Sequence, residues 1–437
     1  MGLTFAIATL LLLSPMVLSA QALVTFHKDV APILQNRCQG CHRPGEIGPM
    51  PLLTYEQTRP WAKAIRETVV LKKMPPWFAE APHGAFANDR SLSSTEIATL
   101  TAWADNGARE GNPEHAPSPK VFTDGWTIGK PDEILRMPQS FQVPASGDVD
   151  YHYISVPTGF TEDKWVEQLE VRPGNRAVVH HVVVFAREPG SPAYKHLKPG
   201  VPAPVPNSGN RQRTPDDGTG IWSLQTGMEI VCTYVPGGEP CKSQPGQARL
   251  IKAGSDLLFQ IHYTPNGKPS TDITGIGLVF AKEVPKERAR TMLVLNPNLR
   301  IPPDAANHRV SARVTLEAPA TLTSLFPHMH VRGKAFEYRA LYPTGESEVL
   351  LKVPRYDFNW QLTYYLSKPR PLPKGTIIEC VGYFDNSPNN PFNPDPKAEV
   401  LWGDQTSEEM LADFLDLSFD RNMDPAELAK GKGLRAE

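Results

Sequence analysis

The chain of 437 residues is long enough for about three domains of ordinary size. Charged residues at 21% and hydrophobic ones at 40% exclude wholesale disorder and a collagen-like fibre, and 45 basic against 47 acidic residues leave no electrostatic footprint for nucleic acid. Proline, at 45 residues, is about twice as frequent as usual, which forecasts many loops, turns and strand edges.

Residues 1–22 read as an export signal. Phe5 to Leu18 is apolar and uncharged and gives way to Ala20-Gln21-Ala22, a small-x-small sequence that predicts cleavage after Ala22 and a periplasmic or secreted protein. The segment before the apolar run carries no Lys or Arg. The run is shorter than the roughly 20 residues a bilayer needs, and no other window is long enough, so stable membrane insertion is not expected.

Cys38-Gln39-Gly40-Cys41-His42 is a C-x-x-C-H, which offers two thiols for thioether attachment to haem vinyls and a histidine to ligate the iron. A redox dithiol would not require the following histidine. The spacing predicts a helix over 62–73, with Ile65 and Val69 on one stripe, that stops at Met74-Pro75-Pro76. Met74 is the expected second axial ligand, a thioether suited to electron transfer, with Met50, also followed by proline, as its rival. Ser93 and Glu96 form a capping-box pattern ahead of Ile97, Leu100 and Trp103, with Gly107 as terminator. Over residues 23–111 this order of helices and motif resembles the small c-type cytochromes, and residues 112–120 read as a Pro-rich linker.

From Val121 onward, short β-prone runs such as 177–185, 256–264 and 336–341 alternate with Pro, Gly, Asn and Asp clusters, as in β-sandwiches. Three of them carry histidine. His328 and His330, flanking Met329, would share a face of an extended segment and could grip one metal. Adjacent His180 and His181 would point to opposite faces of a regular strand, so joint ligation with His262 requires a bulge or a strand end. Imidazole with thioether suits copper, while an all-imidazole site also admits zinc.

Arg176-Ala-Val-Val-His-His-Val, Leu258-Phe-Gln-Ile-His-Tyr-Thr-Pro, His328-Met-His-Val-Arg-Gly-Lys and Gly403-Asp-Gln-Thr-Ser-Glu-Glu-Met410 together resemble the type II copper, ascorbate-dependent monooxygenases, which include peptidylglycine α-hydroxylating monooxygenase and dopamine β-monooxygenase. The resemblance covers about 130–420. It implies two β-sandwich domains with one copper each: His180, His181 and His262 for an electron-storing ion, and His328, His330 and Met410 for the ion where oxygen reacts. Spacing alone would not single out Met410. Gln260, two residues before His262, would share its face and orient a ligand or water. Where the peptide-hydroxylating member has polar substrate anchors, this chain has Phe326, Ala412 and Phe414, which implies a largely apolar substrate. Cys380 resembles a family half-cystine, but Leu411 stands where its partner would be, so a free thiol is expected; Cys232 and Cys241 could close a hairpin as a disulfide.

The expected fold class is therefore a small all-α cytochrome c domain (23–111), then two all-β, jelly-roll-like sandwiches (121–285 and 286–420) and a charged tail (421–437). The expected function is copper-dependent hydroxylation of a C–H bond of a small organic molecule by dioxygen. Two copper ions and a covalent haem c serve it, with an external electron donor feeding the haem. The alternative is a haem- and copper-containing electron-transfer or copper-binding protein without hydroxylase activity. Zinc-dependent hydrolysis ranks below both, since the sequence offers no well-placed carboxylate base.

Overall fold

The computed structural model describes residues 23–123, 125–204 and 227–429; the expected leader at 1–22 and the last residues of the tail, 430–437, lie outside the described residues. Four α-helices occupy the first part: α1 (Ala31–Arg37), α2 (Tyr55–Thr58), α3 (Ala62–Val70) and α4 (Ser94–Asp105). The capping box at the start of α4 is complete, with the Ser93 side chain accepting from the Glu96 amide and the Glu96 carboxylate accepting from the Ser93 amide. Leu100 and Trp103 share a small core with Phe26, Val30, Leu34, Ile65 and Val69. α3 ends at Val70 rather than 73. Lys72 takes a left-handed φ of 52°, and the Lys73 amide turns back to the Thr68 carbonyl at 2.8 Å.

The expected fold class is corrected here. No small all-α cytochrome domain stands apart among the described residues. The helices are only 4 to 12 residues long, and from Met74 to Leu92 the chain leaves them as a strap across the C-terminal β-structure. Trp77, Phe78 and Phe86 pack against its core. Backbone hydrogen bonds of 2.8 Å run from Glu80 to Lys352, from Ala87 to Tyr365 and from Ser367 to Ala85. The strap sets its aromatic residues among prolines and a glycine with no helical repeat, so no helix face can bury them, and the sheets supply the missing apolar partner.

Twenty-two strands make the described residues predominantly β. A five-stranded sheet has the order β6 (Ala203–Pro204), β3 (His152–Pro157), β10 (Asp256–Tyr263), β5 (Val179–Arg187), β7 (Met228–Tyr234). A four-stranded sheet follows the order β15 (His308–Thr315), β20 (Ile377–Phe384), β17 (Gly333–Leu341), β18 (Ser347–Val353). Both face one nine-stranded sheet: β1 (Glu133–Arg136), β12 (Gly275–Phe280), β4 (Lys164–Arg172), β9 (Gln247–Ile251), β13 (Glu287–Leu295), β22 (Ala412–Asp420), β16 (Ala320–Phe326), β19 (Tyr364–Leu372), with β8 (Cys241–Lys242) beside β4. Two small ribbons complete the set, β2 (Phe141–Val143) with β11 (Ser270–Asp272) and β14 (Arg300–Ile301) with β21 (Val400–Leu401).

Alternation along the strands sets the two main cores. Leu257, Phe259 and Ile261 of β10 meet Val166 and Leu169 of β4 in the first, while Leu322 and Leu325 of β16 meet Phe336 and Tyr338 of β17 in the second. The nine-stranded sheet runs across residue 285 by a short parallel pairing of β9 with β13, Gln247 opposite Glu287 and Ala248 opposite Arg288. A disulfide joins Cys232 and Cys241, and Cys380 is a buried free thiol. On the outer face of the five-stranded sheet, Tyr153, Phe185, Ile230 and Leu258 form a third apolar cluster that reaches Leu293 and Phe414 of the second half. The functional residues gather at this seam.

Candidate metal centres at the seam

The first histidine set is built on paired strands. His181 of β5 stands opposite His262 of β10, but Tyr263 pairs with Val179, so the register slips by one residue and His180 is the extra residue of a β-bulge. The bulge turns His180 to the same side as its neighbour. One ring nitrogen from each of the three imidazoles lies within 4.8 Å of the others. His180 Nδ1 and His181 Nδ1 are 3.0 Å apart, and His180 Nε2 and His262 Nδ1 are buried without a hydrogen-bond partner.

The second set is built on loops. His328 and His330 follow the end of β16 in an extended stretch outside any ladder, where the predicted alternation survives: Met329 is buried in the second core while the two imidazoles sit 5.2 Å apart on the other side. The Tyr356 hydroxyl holds Met329 from both directions, accepting from its amide at 3.1 Å and donating to its carbonyl at 2.6 Å. Met410, in the loop before β22, lines the same cavity as both histidines. Glu409 ties the two loops together. Its carboxylate accepts from the amides of His330, Arg332 (3.0 Å) and Met410 (2.9 Å), and burial nevertheless pushes its pKa up to about 7.

Tautomers in the second set are fixed from behind. His328 Nδ1 donates to Gln361 Oε1 at 2.6 Å and His330 Nδ1 donates to the Glu408 carbonyl at 3.2 Å, which leaves Nε2 of each ring as the free donor atom; that of His330 is buried and unpartnered. Burial is also the leading cause that lowers His180 and His328 to about 4, His262 to about 3, and His181 and His330 well below the ordinary histidine range. Five neutral imidazoles with inward lone pairs fit metal ions, and the thioether that Met410 brings to the cavity lined by His328 and His330 fits copper better than zinc.

The two sets share their surroundings. Phe358 stacks on His180 at 5.2 Å and meets His330 edge-on at 6.1 Å, and Tyr151 packs on His262 at 4.4 Å while its hydroxyl meets Thr406 Oγ1 at 3.2 Å. His181, His328, His330 and Met410 open onto one cavity of about 70 Å³. Phe326, Ala412 and Phe414, singled out in the sequence, line it, as do Gln260 and Asp404. Gln260 donates to the Tyr153 hydroxyl at 2.8 Å.

At the N-terminal motif, Cys38 is the C-cap of α1, and the amides of Cys41 (3.1 Å) and His42 (2.9 Å) fold back onto its carbonyl. His42 Nδ1 donates to the Met50 carbonyl at 3.1 Å, which leaves Nε2 as the nitrogen that could ligate a metal, and burial lowers its pKa. Burial also pushes the Cys38 thiol up to about 12. The methionine whose backbone touches His42 is thus Met50, on the Nδ1 side of the ring. Met74 begins the strap.

Gln361, Glu408, Tyr356 and Phe358 escaped the sequence reading, since each meets a candidate ligand, or in the case of Tyr356 the Met329 backbone between two of them, only through the tertiary fold. Glu409 had one signal, its place beside Met410. The Asp404 carboxylate, inside the quoted 403–410 motif, was also passed over.

No protein-family model matches the chain, and no curated protein matches it. Among solved structures it is similar to the infectious bursal disease virus VP2 subviral particle, with a TM-score of 0.21 and 10% identity over 68% of this chain and 75% of that one. It is also similar to the structure of the infectious bursal disease virus Gx strain, with a TM-score of 0.20 and 9% identity over 70% and 77%. Likenesses this weak carry no argument. No helix among the described residues is long and apolar enough to cross a membrane.

Proposed function

We propose that the protein is an exported copper-dependent monooxygenase that hydroxylates a C–H bond of a small, largely apolar organic molecule, with electrons arriving through a haem attached at Cys38 and Cys41. The observation that carries this reading is the pair of unlike ligand sets: a cluster of three imidazoles, of which His181 opens onto a small apolar cavity, and two imidazoles with a thioether lining that same cavity. His180, His181 and His262 would hold one copper ion and His328, His330 and Met410 the other. Bound copper supplies the one-electron chemistry by which dioxygen, two electrons and two protons convert R–H to R–OH and water.

The residues around the donors do the positioning. Gln361 and the Glu408 carbonyl hold the Nε2 atoms of His328 and His330 forward, and Glu409 keeps Met410 in register with them. Phe326, Phe414 and Ala412 give the cavity an apolar wall, so a carboxylate at the reacting end of a substrate would be buried without a partner, at a cost of several kcal/mol. At the haem motif, His42 would be one axial ligand and Met74 the other. The contact of the Met50 carbonyl with His42 Nδ1 disfavours Met50, because it sets that residue on the wrong side of the imidazole.

The test is metal and product analysis of the haem-loaded protein reconstituted with copper. Two coppers and one haem per chain, with an ¹⁸O atom from labelled dioxygen in the product of an apolar substrate, are expected. One copper, zinc alone, or oxygen uptake with no labelled product would overturn the reading.

A further inference from the structure

The histidine cavity is not the largest opening near this seam. A second, of about 560 Å³, lies beside Cys41 and falls within the roughly 300–1,000 Å³ typical of cofactor pockets. Its walls come from distant parts of the chain: the loop of the C-x-x-C-H, the end of the strap at Asn88 to Arg90, Arg176 just before β5, and the turn that joins β7 to β8. Four guanidinium groups, Arg37, Arg43, Arg90 and Arg176, line it, and Glu46 pairs with two of them, Arg43 at 2.9 Å and Arg176. Guanidinium groups are the natural partners of the two propionate carboxylates at a haem edge.

The β7–β8 turn is held against the attachment loop. Arg90 Nη1 donates to the Gly237 carbonyl at 2.9 Å, and a Cβ on Gly237 would sit 3.1 Å from Cys41 Sγ. Gly237 also has a φ of +72°, so both its backbone conformation and its closeness to the sulfur require glycine. The disulfide between Cys232 and Cys241 staples the base of this turn. Thr233 and Tyr234, at the end of β7, line both the large cavity and the histidine cavity. Tyr234 pairs with Val182 in the ladder, one residue from His181. The wall between the two openings is therefore one strand thick.

We propose that the edge of the haem projects into the cavity between the C-x-x-C-H loop and the β7–β8 turn, and that Tyr234 is the contact through which it reaches the three-histidine site. This rests on the function proposed above and adds the route. One electron crosses at a time: ferrous iron becomes ferric and cupric copper becomes cuprous, no bond is made or broken, no proton moves, and an external one-electron donor re-reduces the haem. The aromatic ring is what fills the gap, so the hydroxyl is dispensable. Tyr234 is a positioning residue that touches neither oxygen nor the metal.

The experiment uses full-length protein loaded with haem and copper in the ferric and cupric states. It is mixed without oxygen with less than one equivalent of a reduced small-molecule electron donor. In the wild type the ferrous haem band should rise and then decay as the cupric spin-resonance signal falls. Tyr234→Ala should slow that decay several-fold with haem spectrum and copper content unchanged, and Tyr234→Phe should restore it. Gly237→Ala probes the same contact from the haem side and should shift the haem band. Loaded Tyr234→Ala protein that decays at the wild-type rate, with an unmoved haem band in Gly237→Ala, would overturn the route alone. A wild type that retains no haem or no copper would overturn the functional reading together with it.

Discussion

The two histidine sets are positioned by opposite means. His181 and His262 are neighbours in a continuous hydrogen-bonded ladder, and His180 joins them through one bulge, so the backbone itself sets the geometry. His328, His330 and Met410 sit on loops that no ladder reaches, and side chains from elsewhere, Glu409, Tyr356 and Gln361, do the holding. A ladder-held site should tolerate loss of a side chain around it. A site held by side chains should not.

The largest expected effect is therefore at Glu409. Replacing it with Ala leaves three buried amides without an acceptor, which should lower the unfolding free energy by on the order of 3–5 kcal/mol and empty the second site while the first keeps its metal. Denaturant unfolding together with a copper count would check this; loss of both coppers or of neither would erase the contrast between the sets. A pH series tests where the sets should agree, because His180 on the bulge and His328 on the loop are both lowered to about 4 by burial. In the metal-free protein these imidazoles stay neutral while the unfolded chain takes up protons near pH 6.5. Protein stability is then undiminished above pH 6.5 and falls as pH drops toward 4, by about 3 kcal/mol for each such histidine. An unfolding midpoint that stays flat across that window would contradict it.

Gln361→Ala comes next. Freed from its oxygen partner, His328 can rotate, and copper affinity at the second site should fall roughly 10–100-fold with the first site unchanged, as competition with a chelator would measure. The smallest expected effect is on folding in His180→Ala. Since one ring nitrogen of that imidazole is buried without a partner, the metal-free stability should change by no more than about 1 kcal/mol, while the copper count drops by one. A large loss of stability would mean that the bulge side chain, and not the ladder, carries the first site.

The same contrast explains what could be read from the sequence. His180 and His181 announced a bulge because two adjacent ligands cannot share a face of a regular strand, and alternation placed Met329 opposite its flanking histidines even though no ladder forms there. Period and spacing are local, and local features survive reading. Gln361, 33 residues from His328, and Tyr356, 27 residues from Met329, meet their partners only because the chain folds around the second core that way, and no pattern in the chain marks them. The fold class failed at the N-terminus for a related reason. The capping box at Ser93 is a real local signal and the C-x-x-C-H a local motif, but the aromatic residues between the helices belong to a core hundreds of residues away, and the expected domain 23–111 enclosed them with the helices.

The strap from Met74 to Leu92 also decides how the molecule can be taken apart. The Pro-rich stretch at 112–120 invites a cut near Val121 to isolate the β-structure, yet such a fragment would lose Trp77, Phe78 and Phe86 and uncover the groove around Tyr364 in which two of those rings lie, at 5.0 and 5.3 Å. It would also bare part of the backbone of β19, from Thr363 to Ser367, that the strap now pairs with. An uncovered strand beside an apolar groove is an invitation to pair with another copy, so the fragment should cling to itself rather than stay single. The first 111 residues are thus not an interchangeable cassette. Any exchange of this N-terminal segment between chains has to carry its strap, or leave the strap behind on the sheets it covers.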